Sequence, residues 1–133
     1  MDKYLGKYVE PTYALLRIVA GFLFACHGAQ KMLGLFGGMD GDGGTAELAS
    51  KIGLAGSIEL FAGLAIALGV VTAWAAFLSS GLMAVAYFTA HQPQGALPIL
   101  NQGDLAAVYS FLFLYIATRG PGIWSLGARI KKS

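Results

Sequence analysis

The chain has 133 residues, of which 56% are hydrophobic and 12% are charged, and its net charge is only +2. Soluble domains carry about 25% charged residues, so this composition lacks the surface of a soluble protein and indicates a membrane protein. The weak charge, without basic runs interleaved with aromatic residues, argues against nucleic acid as a partner. At this length we expect a single transmembrane domain over residues 1–133.

The stretch 13–33 is apolar and long enough to span a membrane, yet it carries several polar side chains. About 20 helical residues cross the roughly 30 Å hydrocarbon core. Arg17, His27, Gln30 and Lys31 fall within about 140° of helical arc. An ionisable group in hydrocarbon costs at least ~2.5 kcal/mol, so these residues should face a protein interior or a water-filled cavity. The sequence therefore predicts a helix with a polar inner face that other helices cover.

Three further spans follow. Residues 51–90 are too many for one helix, and residues 69–72 are the expected break. Asp104 is a plausible N-cap for the last span, which is only about 21 Å long. The predicted fold class is all-α, an integral membrane four-helix bundle with spans at about 12–33, 52–70, 72–91 and 104–119 and an interfacial tail at 120–133.

The connection 34–50 is expected to be a flexible loop, because it holds six glycines and three acidic residues. Its Asp-Gly-Asp-Gly segment is weakly like a calcium loop, but an EF-hand requires a longer series of oxygen ligands ending in glutamate. Cys26 is the only cysteine, which excludes an internal disulfide or a two-cysteine relay. A lipoprotein cleavage site at Cys26 is disfavoured because Phe24 is bulky where a small residue is needed.

The basic residues are unevenly distributed between the two sides of the predicted bundle. Four spans place both termini on one side, and the positive-inside rule puts the side richer in Lys and Arg in the cytoplasm. We therefore expect cytoplasmic termini, with the loops 34–50 and 91–103 outside. The basic residues on the terminal side are Lys3, Lys7, Arg119, Arg129, Lys131 and Lys132.

Polar side chains from three spans are expected to meet in the outer half of the bundle. Glu59 lies roughly 10 Å below the outer surface and His27 about 9 Å below it. Tyr87 and His91 are one turn apart and reach the same surface. Arg17 is about 12 Å deeper than Glu59, which it could reach only with a stretched side chain or through water. Gln30 and Lys31 complete the set.

Glu59 is the most informative of these residues. At this depth its carboxyl group is either paired or protonated. It either locks the second span to the first, or acts beside His27 as a proton carrier or a headgroup ligand. Lys31, at a helix end, is expected to extend its ammonium group to the membrane surface. The small residues on the Glu59 face, which allow a neighbouring backbone to approach closely, are Ala55, Gly56, Ala62 and Gly63.

A metal site needs three or four ligands. His27, Glu59 and His91 could supply three, but no tight spacing supports such a site, and we predict none. His91 at a helix end is alternatively a solvated cap.

The sequence resembles the DoxX family of small bacterial membrane proteins over nearly its whole length. The resemblance rests on LLRIVAGFLFACHGAQKMLG (15–34), IELFAGLAIALGVVTAWAAFLSS (58–80), AYFTAH (86–91) and RGPGIWSL (119–126). It implies a four-helix bundle in the bacterial cytoplasmic (inner) membrane. It also implies association with redox chemistry, because the family takes its name from a subunit of a thiosulfate:quinone oxidoreductase. Arg17, His27, Gln30, Lys31 and Glu59 match the family's polar positions.

Two hypotheses follow from the resemblance. The first is a redox-associated membrane subunit whose outer polar pocket binds a quinone or a small sulfur species. Lys31 or His27 would hydrogen-bond a carbonyl oxygen, and Glu59, His27 or His91 would carry the proton. No cofactor is covalently bound in this hypothesis, so electrons come from the quinone or from a soluble or membrane redox partner. The second is a non-catalytic scaffold or assembly factor, as in relatives that act as chaperones. Either form could assemble as a homo-oligomer.

Overall fold

The computed structural model describes residues 2–130, and within this range the chain forms helices joined by loops, without a strand. The expected all-α class is therefore confirmed. Lys131 and Lys132, which contributed to the topology prediction, lie outside the described residues. The four long helices are α1 (Val9–Leu33), α2 (Lys51–Leu68), α3 (Thr72–Ala86, continued by a π-helical turn at Tyr87–His91) and α4 (Asp104–Arg119).

Among residues 2–130, three helical stretches are long and apolar enough to cross a membrane: Lys3–Leu33, Lys51–Leu68 and Thr72–Gln94. α4 has 16 residues, about 24 Å, and packs along α3. Large apolar side chains such as Phe61 and Phe111 point outward and are more than two-thirds exposed, at 70% and 75%. A helix bundle that exposes such side chains buries them in lipid, so the fold is that of an integral membrane protein.

α1 and α2 are in direct backbone contact. A Cβ atom added to Gly28 would lie 2.2 Å from the Leu60 amide nitrogen, and one added to Gly63 would lie 2.5 Å from the Ala25 nitrogen. Only glycine permits this approach, because any side chain would occupy the volume of the opposite backbone. The prediction that the small-residue face of the second span meets its neighbour closely is confirmed.

α3 and α4 form a second packed pair. The Ser80 hydroxyl donates to the Ser110 carbonyl at 2.7 Å, and the Ser110 hydroxyl donates to the Ser80 carbonyl at 3.2 Å. Aromatic side chains fill the space between the two pairs, where the Phe24 ring of α1 lies 4.7 Å from the Phe113 ring of α4. The bundle is thus two closely packed helix pairs, joined by contacts between α2 and α3 and by a core that contains an aromatic cluster.

Arg17 is fully buried at one end of the bundle, where it links separate segments of the chain through hydrogen bonds. Its guanidinium group donates to the carbonyls of Ile66 and Ala67 at the end of α2, at 2.6 and 2.7 Å. It also donates to the carbonyls of Ile123 and Trp124 at 3.3 and 2.8 Å. A cation at the carbonyl end of a helix is favoured by the helix dipole. Arg17 therefore ties α1, α2 and the C-terminal segment together.

Several connections are more regular than the sequence indicated. Residues 2–8 are helical and lead directly into α1. In the 34–50 loop, Asp40 accepts hydrogen bonds from the backbone of Asp42 and Gly44, which hold the pKa of its carboxyl below the usual value. The segment after His91 contains short helical turns at Gln92–Gln94 and Pro98–Asn101. The expected N-cap at Asp104 is wrong, because the capping position is Gly103 and Asp104 is the first helical residue.

Candidate functional site

A cavity of about 230 Å³ lies between the two helix pairs, at the end of the bundle next to the 34–50 loop. Every long helix contributes to its wall. One part of the wall is polar and the other is apolar or aromatic. The lining residues are Phe24, His27, Lys31, Glu59, Met83, Ala86, His91, Gln102, Leu105, Ala106 and Tyr109.

The polar part of the wall contains the ion pair between Lys31 and Glu59. The Lys31 ammonium nitrogen lies 2.6 and 2.7 Å from the two carboxylate oxygens of Glu59. The Glu59 side chain is only 4% exposed, whereas that of Lys31 is 28% exposed. The expectation that Lys31 extends to the membrane surface is therefore wrong. A carboxylate buried this deeply pulls the flexible lysine inward, because an unpaired buried charge is far more costly than the pairing.

His91 reaches the cavity from the π-helical turn that ends α3. Such turns carry one extra residue relative to an α-helix, which rotates the following side chains, and they are frequent at functional sites. His91 Nδ1 lies 3.1 Å from the Asn101 carbonyl oxygen. A carbonyl oxygen only accepts, so Nδ1 donates this hydrogen bond, and in the neutral form of the ring Nε2 is an acceptor.

Asn101 holds this arrangement in place. It is 2% exposed, and its side chain accepts from the Gly103 amide and donates to the Gly95 carbonyl, both at 2.8 Å. The Tyr87 ring stacks on His91 with a centroid distance of 6.5 Å. Tyr87 thus supports His91 rather than lining the cavity itself.

The cavity unites some of the expected site residues and not others. Glu59, His27, Lys31 and His91 line it. Gln30 is half-buried on α1 but does not line the cavity, and Arg17 lies at the opposite end of the bundle. Within residues 2–130, no group of three His, Cys, Asp or Glu side chains is arranged to hold a metal ion.

The apolar wall was not expected from the sequence. Phe24 and Tyr109 look like ordinary core residues, since they lie in apolar runs with helical spacing. Depth alone could have placed both residues at the level of the cavity. Phe24 is just under one helical turn from His27, and Tyr109 lies five residues after the start of the last helix. Gln102 reaches the cavity from the loop before α4.

Comparison with known proteins identifies the class. The DoxX family profile matches residues 12–92, which is more than half of the chain. An uncharacterized protein of Haemophilus influenzae is 39% identical over 131 residues, covering 96% of this chain and 97% of that protein. No solved structure matches the chain. The chain belongs to the DoxX family of membrane proteins.

Proposed function

We propose that this DoxX protein is a redox-associated subunit of the bacterial inner membrane that binds a quinone headgroup, or a small sulfur species, in the cavity. The observation that carries the proposal is that an ion pair and two histidines, from three different helices, line a single cavity. If these polar residues served only packing, their hydrogen-bonding groups would pair with one another and no cavity would remain beside them.

The cavity fits the head of a quinone better than a whole molecule. Its volume of about 230 Å³ is below the range of about 300–1,000 Å³ typical of pockets that enclose drug-sized ligands. Phe24 and Tyr109 offer faces for a flat ring, while Lys31 and His27 offer donors for carbonyl oxygens. A bound quinone would supply the electron-accepting ring.

The chain's own residues would manage protons. Nε2 of His91 is an acceptor, and its orientation is fixed through Nδ1. Glu59 holds the Lys31 ammonium group at the cavity wall, where it can donate to a carbonyl oxygen of the bound ligand. Electrons would pass to or from a partner, because the single cysteine cannot cycle through an internal disulfide.

The scaffold alternative is supported by the same ion pair, since Lys31 and Glu59 also tie α1 to α2. Glu59→Gln separates the two functions because it keeps the side-chain shape and removes the charge. Under the redox proposal, the variant should stay folded and bind a tail-less quinone about tenfold more weakly, which is about 1.4 kcal/mol. Isothermal titration of the purified protein in mild detergent measures the affinity, and thermal unfolding measures the stability.

Glu10→Gln is the matched control, because it makes the same change at an exposed ion pair with Arg119. Unchanged quinone affinity in Glu59→Gln, together with a lower melting temperature, would favour the scaffold. Extraction of the purified protein into organic solvent adds an independent check. A bound quinone appears as an ultraviolet band that shifts on reduction with borohydride.

The proposed orientation places both termini in the cytoplasm. We expect the Asp42→Cys variant, in a Cys26→Ala background, to react with a membrane-impermeant thiol reagent in intact cells, since Asp42 is exposed in the 34–50 loop. Lys3→Cys in the same background is the control, because Lys3 is also exposed but lies near the N-terminus, and it should react only after the membrane is opened. The reverse labelling pattern would invert the orientation.

A further inference from the structure

We infer that the cavity is entered sideways from the membrane, through a gap between α1 and α4, and that its occupant is therefore a quinone carrying an isoprenoid tail rather than a water-soluble sulfur species. The gap, here called the window, is bordered by His27 on α1 and Leu105 on α4. The inference rests on the proposed function and specifies which of its two ligand classes the site takes.

The window follows from how the helices pair. α1 packs along α2, and α3 packs along α4, but the α1 and α4 backbones do not pack closely against each other. Their seam is closed by side chains instead. Phe24 lies 4.7 Å from Phe113 and 5.6 Å from Tyr109, measured between ring centroids, and Tyr13 lies 5.9 Å from Tyr115.

These aromatic contacts across the seam extend only as far as Phe24 in the direction of the 34–50 loop. His27 lies three residues further along α1, about 4.5 Å, and it is exposed. Leu105 lies one turn above Tyr109 on α4 and is 54% exposed. Both residues also line the cavity. Side chains that line a cavity and are exposed at the same time mark a place where the cavity opens. Gln102, which is exposed and lines the cavity from the loop before α4, marks a second opening on the side of that loop.

The window lies at the depth where lipid headgroups meet acyl chains. Six residues separate His27 from the end of α1 at Leu33, which is about 9 Å. α4 begins at Asp104, next to Leu105. An exposed imidazole is tolerated at this level because water and headgroups can solvate it, whereas deeper in the hydrocarbon it would be costly.

An apolar track leads from the window toward the middle of the membrane. Leu23 lies one turn below His27 on the same face of α1 and is 47% exposed. Val108 lies one turn below Leu105 on α4 and is 62% exposed. A hydrophobic tail can lie along these residues while its ring occupies the cavity. A small sulfur oxyanion has no part that could use the track.

The test compares two photoreactive azidoquinones, one with an isoprenoid tail and one without, on the protein in lipid nanodiscs. Labelling of cavity peptides is followed over time by mass spectrometry. Leu105→Trp narrows the window, and we expect it to slow labelling by the tailed probe about tenfold, which is about 1.4 kcal/mol in the barrier. The tail-less probe, which also reaches the cavity from water, should be slowed less. Leu105→Ala widens the window and should speed labelling by the tailed probe.

Leu114→Trp is the matched control, since Leu114 is on the opposite face of α4 and is 41% exposed. It should leave both rates unchanged. If neither probe labels the wild-type cavity, the proposed function itself fails. If the tail-less probe labels the cavity but the tailed probe does not, or if Leu105→Trp changes neither rate or both equally, the proposed function stands and entry through the window is overturned.

Discussion

Gly63→Leu should lower the free energy of unfolding by about 3 kcal/mol or more, at or above the upper end of the range for an overpacked core. A Cβ atom at this position would lie 2.5 Å from the Ala25 nitrogen and 2.7 Å from the Gly21 carbonyl oxygen. Both are backbone atoms, so no rotamer change can relieve the overlap, and α1 and α2 must move apart. Thermal unfolding in detergent, followed by circular dichroism, measures the loss.

Gly81→Leu is the matched control. Gly81 is also in a long helix, but a Cβ atom there has no other atom within 4 Å. The same substitution should leave the melting temperature unchanged or raise it, because leucine is a better helix former than glycine. Equal melting temperatures for the two variants would mean that α1 and α2 are not in backbone contact.

Arg17→Met should destabilise the protein by about 3 kcal/mol and release the C-terminal segment. Methionine is unbranched and flexible but donates no hydrogen bond, so the carbonyls of Ile66, Ala67 and Trp124 lose their shared donor. Arg17→Lys should have an intermediate effect, because its single ammonium group cannot reach both sets of carbonyls at once. Thermal unfolding ranks the variants.

Release of the segment can be measured separately from stability. Ser125 is 4% exposed, so we expect the thiol of a Ser125→Cys variant, in the Cys26→Ala background, to be protected from thiol reagents. Arg17→Met should expose it at temperatures well below unfolding. Arg119→Met is the control, because Arg119 pairs with the exposed Glu10 and such surface pairs contribute about 1 kcal/mol or less. Protection that persists in Arg17→Met would show that Arg17 does not hold the segment.

The helices and the level of the cavity were predictable because both depend on periodicity and depth. Uninterrupted apolar sequence gives the spans. A rise of 1.5 Å per residue places Glu59 and His27 at similar depths, roughly 10 and 9 Å below one surface, and places His91 at that surface. The glycine face of α2 was also predictable, since small residues at helical spacing have few other roles in a membrane.

The partners of the charged residues were not predictable. Lys31 turns inward to Glu59 rather than outward, and Arg17 binds backbone carbonyls rather than a carboxylate. Both outcomes depend on which atoms the tertiary packing brings within reach of a long, flexible side chain. The sequence contains no signal for a carbonyl acceptor, because every residue has one. The π-helical turn that directs His91 into the cavity was missed for a similar reason: it depends on one residue of helical register rather than on residue type.

Lys31 and Glu59 are 28 residues apart in the chain, so during synthesis the lysine emerges well before its carboxylate partner. α1 alone would present Arg17 and Lys31 to lipid, each at a cost of roughly 2.5–3.5 kcal/mol at mid-membrane and less near its ends. α2 supplies the carboxylate for Lys31 and two of the carbonyls for Arg17. We therefore expect α1 to remain at the translocon until α2 has been made. The two helices then enter the lipid together as a preassembled hairpin.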